Sequence, residues 1–152
     1  MPKINIQRQD ALIVFGLFIL PLLFFWPVTL GGKTLLPLDN LLSSEPWKPY
    51  AAAFGVTVPH NGLVSDLILE NYVWKRFILQ SLKAKSVPLW NPYLFAGVPF
   101  LAAGQHSALY PLSVLFYVLP LTQAYGWFMV AQFFLTAVFT YVFCRVIRVN
   151  RF

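Results

Sequence analysis

Two carboxylates are the natural places to look for chemistry: Asp39, in the run LPLDNLLSSEPWKPY, and Asp66, in SDLILENYVWKRFILQSLKAK. A carboxylate near a lipid surface, partly desolvated, can act as general base toward a hydroxyl or help hold a divalent cation. Each acid also has a plainer reading. Asp39-Asn40 is turn chemistry, and Asp66, followed one turn later by Glu70, suits the first turn of a helix. His60 and His106 lie far apart and lack the spacing of paired metal ligands. Zinc sites need three or four ligands, so no metal centre is expected on them. There is no Gly-rich phosphate loop, no nucleophile elbow and no CxxC. The cations Lys75, Arg76, Lys83 and Lys85 would meet lipid headgroups, and the same charges could attract a lipid-linked phosphate.

These residues must be positioned by elements suited to lipid. Hydrophobic residues make up 59% of the 152, charged residues 11% and aromatics 18%. Soluble domains run at about 45–50% apolar and about 25% charged. A chain of this size leaves roughly 30% of its unfolded-state surface in contact with solvent, which so few charges cannot cover in water. A disulfide scaffold (one Cys), a disordered tail and an ordinary cytosolic enzyme are excluded. The net charge of +6 then reports topology rather than nucleic acid. Cys144, within an apolar run, reads as a small buried hydrophobe.

Residues 11–30 carry no charge and as a helix rise about 30 Å, the thickness of the hydrocarbon core. Lys3 and Arg8 precede them, Trp26 lies near the far end, and Pro21 predicts a kink. A cleavable signal peptide is disfavoured by the length of the apolar stretch and by the poor cleavage site at Thr29-Leu30-Gly31. A second uncharged stretch, 106–144, divides in two. Residues 108–121, broken by Pro111 and Pro120, are too short to cross and read as an interfacial or re-entrant helix. Residues 124–144 read as a full span, with Tyr125 and Trp127 at one interface and Arg145, Arg148 and Arg151 following. Basic residues at both ends place both termini in the cytoplasm, which requires an even number of crossings. Residues 1–10 and 145–152 are then cytoplasmic, and the loop 31–107 is extracytoplasmic. Neither predicted span, 11–30 or 124–144, contains an Asp, Glu, Lys, Arg or His, which argues against transport.

The loop is too long for a simple connection and too aromatic for disorder. Its first part, 31–59, is punctuated by Pro37, Pro46, Pro49 and Pro59 and is expected to be mostly irregular. Residues 65–85 form the predicted amphipathic helix. Ser65 is its N-cap, Ile68, Tyr72, Leu79 and Leu82 form an apolar stripe widened by Trp74 and Phe77, and Val87-Pro88 ends it. The third part, 88–111, is expected to be a packed, membrane-hugging loop displaying Asn91, Gln105, His106 and Ser107. The fold class is therefore an all-α membrane protein, with two transmembrane helices flanking a long extracytoplasmic loop that carries amphipathic juxtamembrane helices.

The run PLWNPYLFAGVPFLAAGQHSALYP, with the upstream S-D-x-x-x-E-N-Y-x-W, resembles the bacterial YfhO-like membrane proteins. That family is similar to the C-type glycosyltransferases, polytopic enzymes that use a polyprenyl-phosphate sugar donor. The resemblance implies transfer of a sugar to a cell-envelope acceptor. Asp66 would be the leading candidate for the acid that activates the acceptor, Asp39 the second, and Asn91, Gln105 and His106 would shape the site. A divalent cation sometimes assists in that superfamily. Such proteins have many more spans, so the resemblance further implies the N-terminal portion of a larger protein, inactive by itself. The expected partners are membrane lipids and a polyprenyl-phosphate sugar donor, not nucleic acid. The alternative is a non-catalytic membrane subunit that docks a partner through its aromatic-rich loop.

Overall fold

The computed structural model describes residues 7–147 and Val149. The chain is mostly helical and folds as two units. One comprises the chain up to Thr34 together with the chain from Gln123 onward; the other is Leu35–Thr122.

In the first unit, helix α1 (Arg8–Phe24) begins earlier than the uncharged stretch, because Asp10 caps it. The Asp10 Oδ2 accepts from the backbone N–H of Gln7 at 2.7 Å, and an acid in the first turn suits the helix dipole. Pro21 is accommodated inside α1, and the break falls later, at Phe25. Pro27 explains the position: it has no N–H to donate to the Leu23 carbonyl one turn back, and its ring crowds that carbonyl. A short α2 (Trp26–Thr29) follows. The predicted span 11–30 is thus not one continuous helix, and the 17 residues of α1 rise only about 26 Å.

The predicted span 124–144 lies within a longer helix, α5 (Leu121–Val146). Among the described residues this is the one helix long and apolar enough to cross a membrane. The contacts between α1–α2 and α5 run antiparallel. Tyr141 meets Asp10, the Phe18 and Phe134 rings meet edge to face at 5.2 Å, and Gly126 faces Val28. A Cβ on Gly126 would collide with the Val28 side chain, so the missing side chain sets how closely the backbones approach. Cys144 is half-buried rather than buried.

The second unit is the folded counterpart of the predicted loop. The amphipathic segment 65–85 is realised as a wide π turn, Leu67–Asn71, leading into α3 (Tyr72–Lys83). Ser65 is not the cap. No side chain caps the segment itself; Asn61 caps the separate 3-10 turn Gly62–Val64 ahead of it, its side-chain oxygen accepting from Leu63 N–H at 3.0 Å. The helix stops before Val87-Pro88, where Lys85 adopts a left-handed conformation (φ 52°). Lys85 N–H bonds the Leu82 carbonyl and Ser86 N–H bonds that of Ser81, which satisfies the carbonyls the helix end leaves open.

The buried line on this segment is Ile68, Lys75, Ile78 and Ser81, while Leu82 is 48% exposed. The predicted stripe assumed an uninterrupted 3.6-residue period. The π turn takes up an extra residue and turns the following helix about its axis. Beyond α3, β1 (Trp90–Asn91) pairs antiparallel with β2 (Val98–Pro99), Trp90 opposite Pro99 and Asn91 opposite Val98. This two-residue pair is the little strand in a chain that is otherwise mostly helical, consistent with an all-α class. Gly97 (φ 103°) lies against the Trp90 indole, where no side chain would fit. The segment 108–121 contains a 3-10 turn, Pro111–Ser113, and only a short helix, α4 (Val114–Val118), with Pro120 separating α4 from α5. Leu36, Ile68, Ile78, Phe100 and Phe116 form the core of this unit.

Candidate functional site

Asp39 belongs to the 3-10 turn Leu38–Ser43, but its bond is long-range rather than a local turn. Its Oδ2 accepts from the backbone N–H of His60 at 2.6 Å. The neighbouring Asn40, buried, donates to the Asn61 carbonyl at 3.1 Å. Together they fasten the 60–61 segment that caps the next turn. Asp66 is exposed, at the entry to the π turn, and its side chain has no hydrogen bond or ion pair among the described residues. The turn carrying Asp39 packs against the π turn that Asp66 enters, so the two acids ride on neighbouring elements.

The other expected site residues do different things. Asn91 is buried and accepts from Tyr93 N–H at 3.0 Å, closing the β1–β2 loop. Gln105 is exposed in the connection before His106. His106 is 3% exposed and stacks on the Phe100 ring at 4.2 Å. Its Nδ1 accepts from Ala108 N–H at 3.0 Å, which leaves Nε2 to donate to the Phe100 carbonyl at 2.9 Å. Those two bonds fix one neutral tautomer and leave no ring nitrogen for a ligand.

The most tightly organised polar cluster centres on Lys75. Read from the sequence as one of several headgroup-facing cations, Lys75 is in fact 1% exposed. Its ammonium donates to the His106 carbonyl at 2.7 Å and to Ser107 Oγ at 2.9 Å, and lies 4.5 Å from the centre of the Phe116 ring. Burial disfavours the charge and lowers the lysine from its usual 10.5 to about 8. Ser113 Oγ donates to the Ser107 carbonyl at 2.6 Å, and the Tyr117 hydroxyl donates to that of Ala108, also at 2.6 Å. Three successive carbonyls, 106 to 108, are thus each held by a side chain from a different part of the unit. Lys75 and Ser113 are buried and Ser107 and Tyr117 half-buried, each engaged in a hydrogen bond, so the cluster's effect is to hold the 100–110 segment on α3.

The first unit has its own polar cluster. The Tyr141 hydroxyl donates to Asp10 Oδ1, and Arg145 Nε lies 3.5 Å from the same oxygen without making a hydrogen bond. Because α1 starts at Arg8 and α5 runs to Val146, Asp10 and Arg145 are helical residues. Lys3, Arg148 and Arg151 lie outside the described residues.

A divalent cation finds no ready cage here: among the described residues no three His, Cys, Asp or Glu side chains converge. Compared with protein-family models, curated proteins and solved structures, the chain matches none.

Proposed function

We infer that this chain supplies the outer loop and its two flanking membrane spans in a glycosyltransferase-like membrane protein of the YfhO-like kind. In this reading α1–α2 and α5 both cross the bilayer, both termini are cytoplasmic, and Leu35–Thr122 faces the exterior. The break at Phe25 is compatible with a crossing, because freed backbone groups in a membrane helix can be satisfied by neighbours.

The observation that carries the reading is the contrast between the two acids. Asp39 is engaged in holding the fold, whereas Asp66, on an adjoining element, is exposed and unengaged. That makes Asp66 the carboxylate free to accept a proton from an acceptor hydroxyl, with the sugar arriving on a polyprenyl phosphate. The test is Asp66→Asn in the protein expressed from its natural gene: transfer of labelled sugar to envelope polymer should be lost while membrane insertion is kept. Normal transfer by both Asp66→Asn and Asp39→Asn sinks the assignment.

A second reading, a partner-docking subunit, draws on the apolar side chains this unit leaves in the open, among them Leu63 and Phe95, each 93% exposed, and Tyr93 at 79%. It requires that Phe95→Ser release a bound partner while Asp66→Asn has no effect.

A further inference from the structure

Between α1 and α5, beside the Asp10–Arg145 cluster, runs an apolar groove of about 700 Å³ lined by Ala11, Val14, Phe15, Phe18, Phe134 and Val142. Its volume is in the range of small-molecule sites. From Asp10 to Phe18 it follows about two turns of α1, or roughly 12 Å. Polar groups occur at one end only, where Asp10, Tyr141 and Arg145 close it. An occupant must therefore be a long apolar body with a single polar end.

The sign of that polar end follows from the hydrogen bonding. One Asp10 oxygen is taken by Gln7 N–H and the other by the Tyr141 hydroxyl. Arg145 stands close enough to Asp10 for attraction, yet no hydrogen bond reaches its guanidinium among the described residues. Nε is buried beside Asp10, and the terminal N–H groups of the guanidinium are the donors that match phosphate oxygens. The sequence reinforces the sign: residues 1–10 and 145–152 hold Lys3, Arg8, Arg145, Arg148 and Arg151 against a single acid, Asp10.

We propose that this groove is a binding site for an anionic phospholipid, its acyl chain lying along Phe15, Phe18 and Phe134 and its phosphate on Arg145. The site depends on membrane insertion and not on sugar transfer, and in the proposed topology it belongs to the inner leaflet. The basic termini attract the headgroup, and the groove distinguishes a retained lipid from the bulk.

The test uses the full chain in nanodiscs of mixed phosphatidylglycerol and phosphatidylcholine, with retained lipid counted by native mass spectrometry. The wild type should hold one phosphatidylglycerol at least tenfold in preference to phosphatidylcholine. Arg145→Gln should abolish the preference, Arg145→Lys should keep most of it, and Ala11→Trp, which fills the groove, should remove the retained lipid. Leu23→Trp, on a residue outside the groove lining, should change nothing. Equal retention of the two lipids, or indifference to both Arg145→Gln and Ala11→Trp, overturns the proposal alone. A dimer that Ala11→Trp dissolves also overturns it, by showing a second copy in the groove. A chain that fails to enter the discs overturns the membrane reading as well.

Discussion

The ammonium of Lys75 lies 2.7 Å from the carbonyl oxygen of His106, 31 residues further along the chain. This bond and its neighbours join α3 to the connection that precedes α4. A positive charge at the centre of a small apolar core is the least comfortable feature of the unit, and it makes stability depend on pH.

For Lys75 the folded value, about 8, lies below the ordinary 10.5. Between the two, the unfolded chain binds more protons than the folded one, so stability rises with pH. Below about pH 8 both states are charged and the full cost of burial is present. The gain should reach about 2 kcal/mol by about pH 10. Tyr117 then acts in the opposite sense: burial raises its phenol above 10.0, so the folded state keeps a proton that the unfolded state loses. Denaturation in detergent should show a midpoint that climbs from neutral pH and turns over near pH 10, with the climb absent in Lys75→Met. A midpoint that falls steadily above pH 8 contradicts the burial of this charge.

Ser113 is fully buried and its hydroxyl donates to the Ser107 carbonyl. Ser113→Ala leaves that carbonyl without its side-chain donor and should cost about 1–3 kcal/mol. Tyr117→Phe should cost a comparable amount. The two act on adjacent carbonyls, so the double variant should depart from additivity by at least about 0.5 kcal/mol. Strict additivity in unfolding free energies would mean that the carbonyls at 107 and 108 are held independently.

Lys85 ends α3 in a left-handed conformation that an L side chain adopts at a cost of about 1–2 kcal/mol. Lys85→Gly should therefore stabilise the protein, by up to about 1 kcal/mol once the added freedom of glycine in the unfolded chain is deducted. A raised thermal midpoint is the readout. Destabilisation would show that the Lys85 side chain makes a larger contribution than its backbone strain removes.

The two acids should separate by stability as well as by activity. Asp39→Ala removes the acceptor for His60 N–H and should lower stability by about 1 kcal/mol. Asp66→Asn, exposed and unengaged, should stay within about 0.5 kcal/mol of wild type. Parallel unfolding curves for the two variants, with Asp66→Asn as unstable as Asp39→Ala, would assign Asp66 to the fold.

Much of this arrangement is legible in the sequence once the spacing is taken literally. Ile68, Tyr72, Leu79 and Leu82 fall at helical intervals with one missing member, position 75, and the residue there is a lysine. Its burial could have been read from that gap, whereas its type points to the surface. The π turn is harder to see, because no residue in LILEN announces an extra residue per turn; packing against the Leu38–Ser43 turn accompanies it. Pro21 predicts a kink, whereas the helix breaks at Phe25, ahead of Pro27. Asp10, just ahead of the uncharged stretch, is an acid that starts a helix, and the length of the apolar run carries no sign of it. His106, offered as a ligand-facing residue, is consumed by Phe100 and Ala108, contacts that only the fold creates.

The connection at residues 106–108 behaves as a gauge of chain length. Each of three side chains meets one particular carbonyl, so a change in residue number between Ala108 and Ser113 would break the Ser113 and Tyr117 bonds together, and one between Phe100 and His106 would strain the Lys75 bond. Surface connections ordinarily accept such changes, and in this unit the exposed stretch around Phe54 and Val58 should do so. Naturally occurring differences in loop size would therefore be confined to that stretch, with the 100–113 interval constant in number.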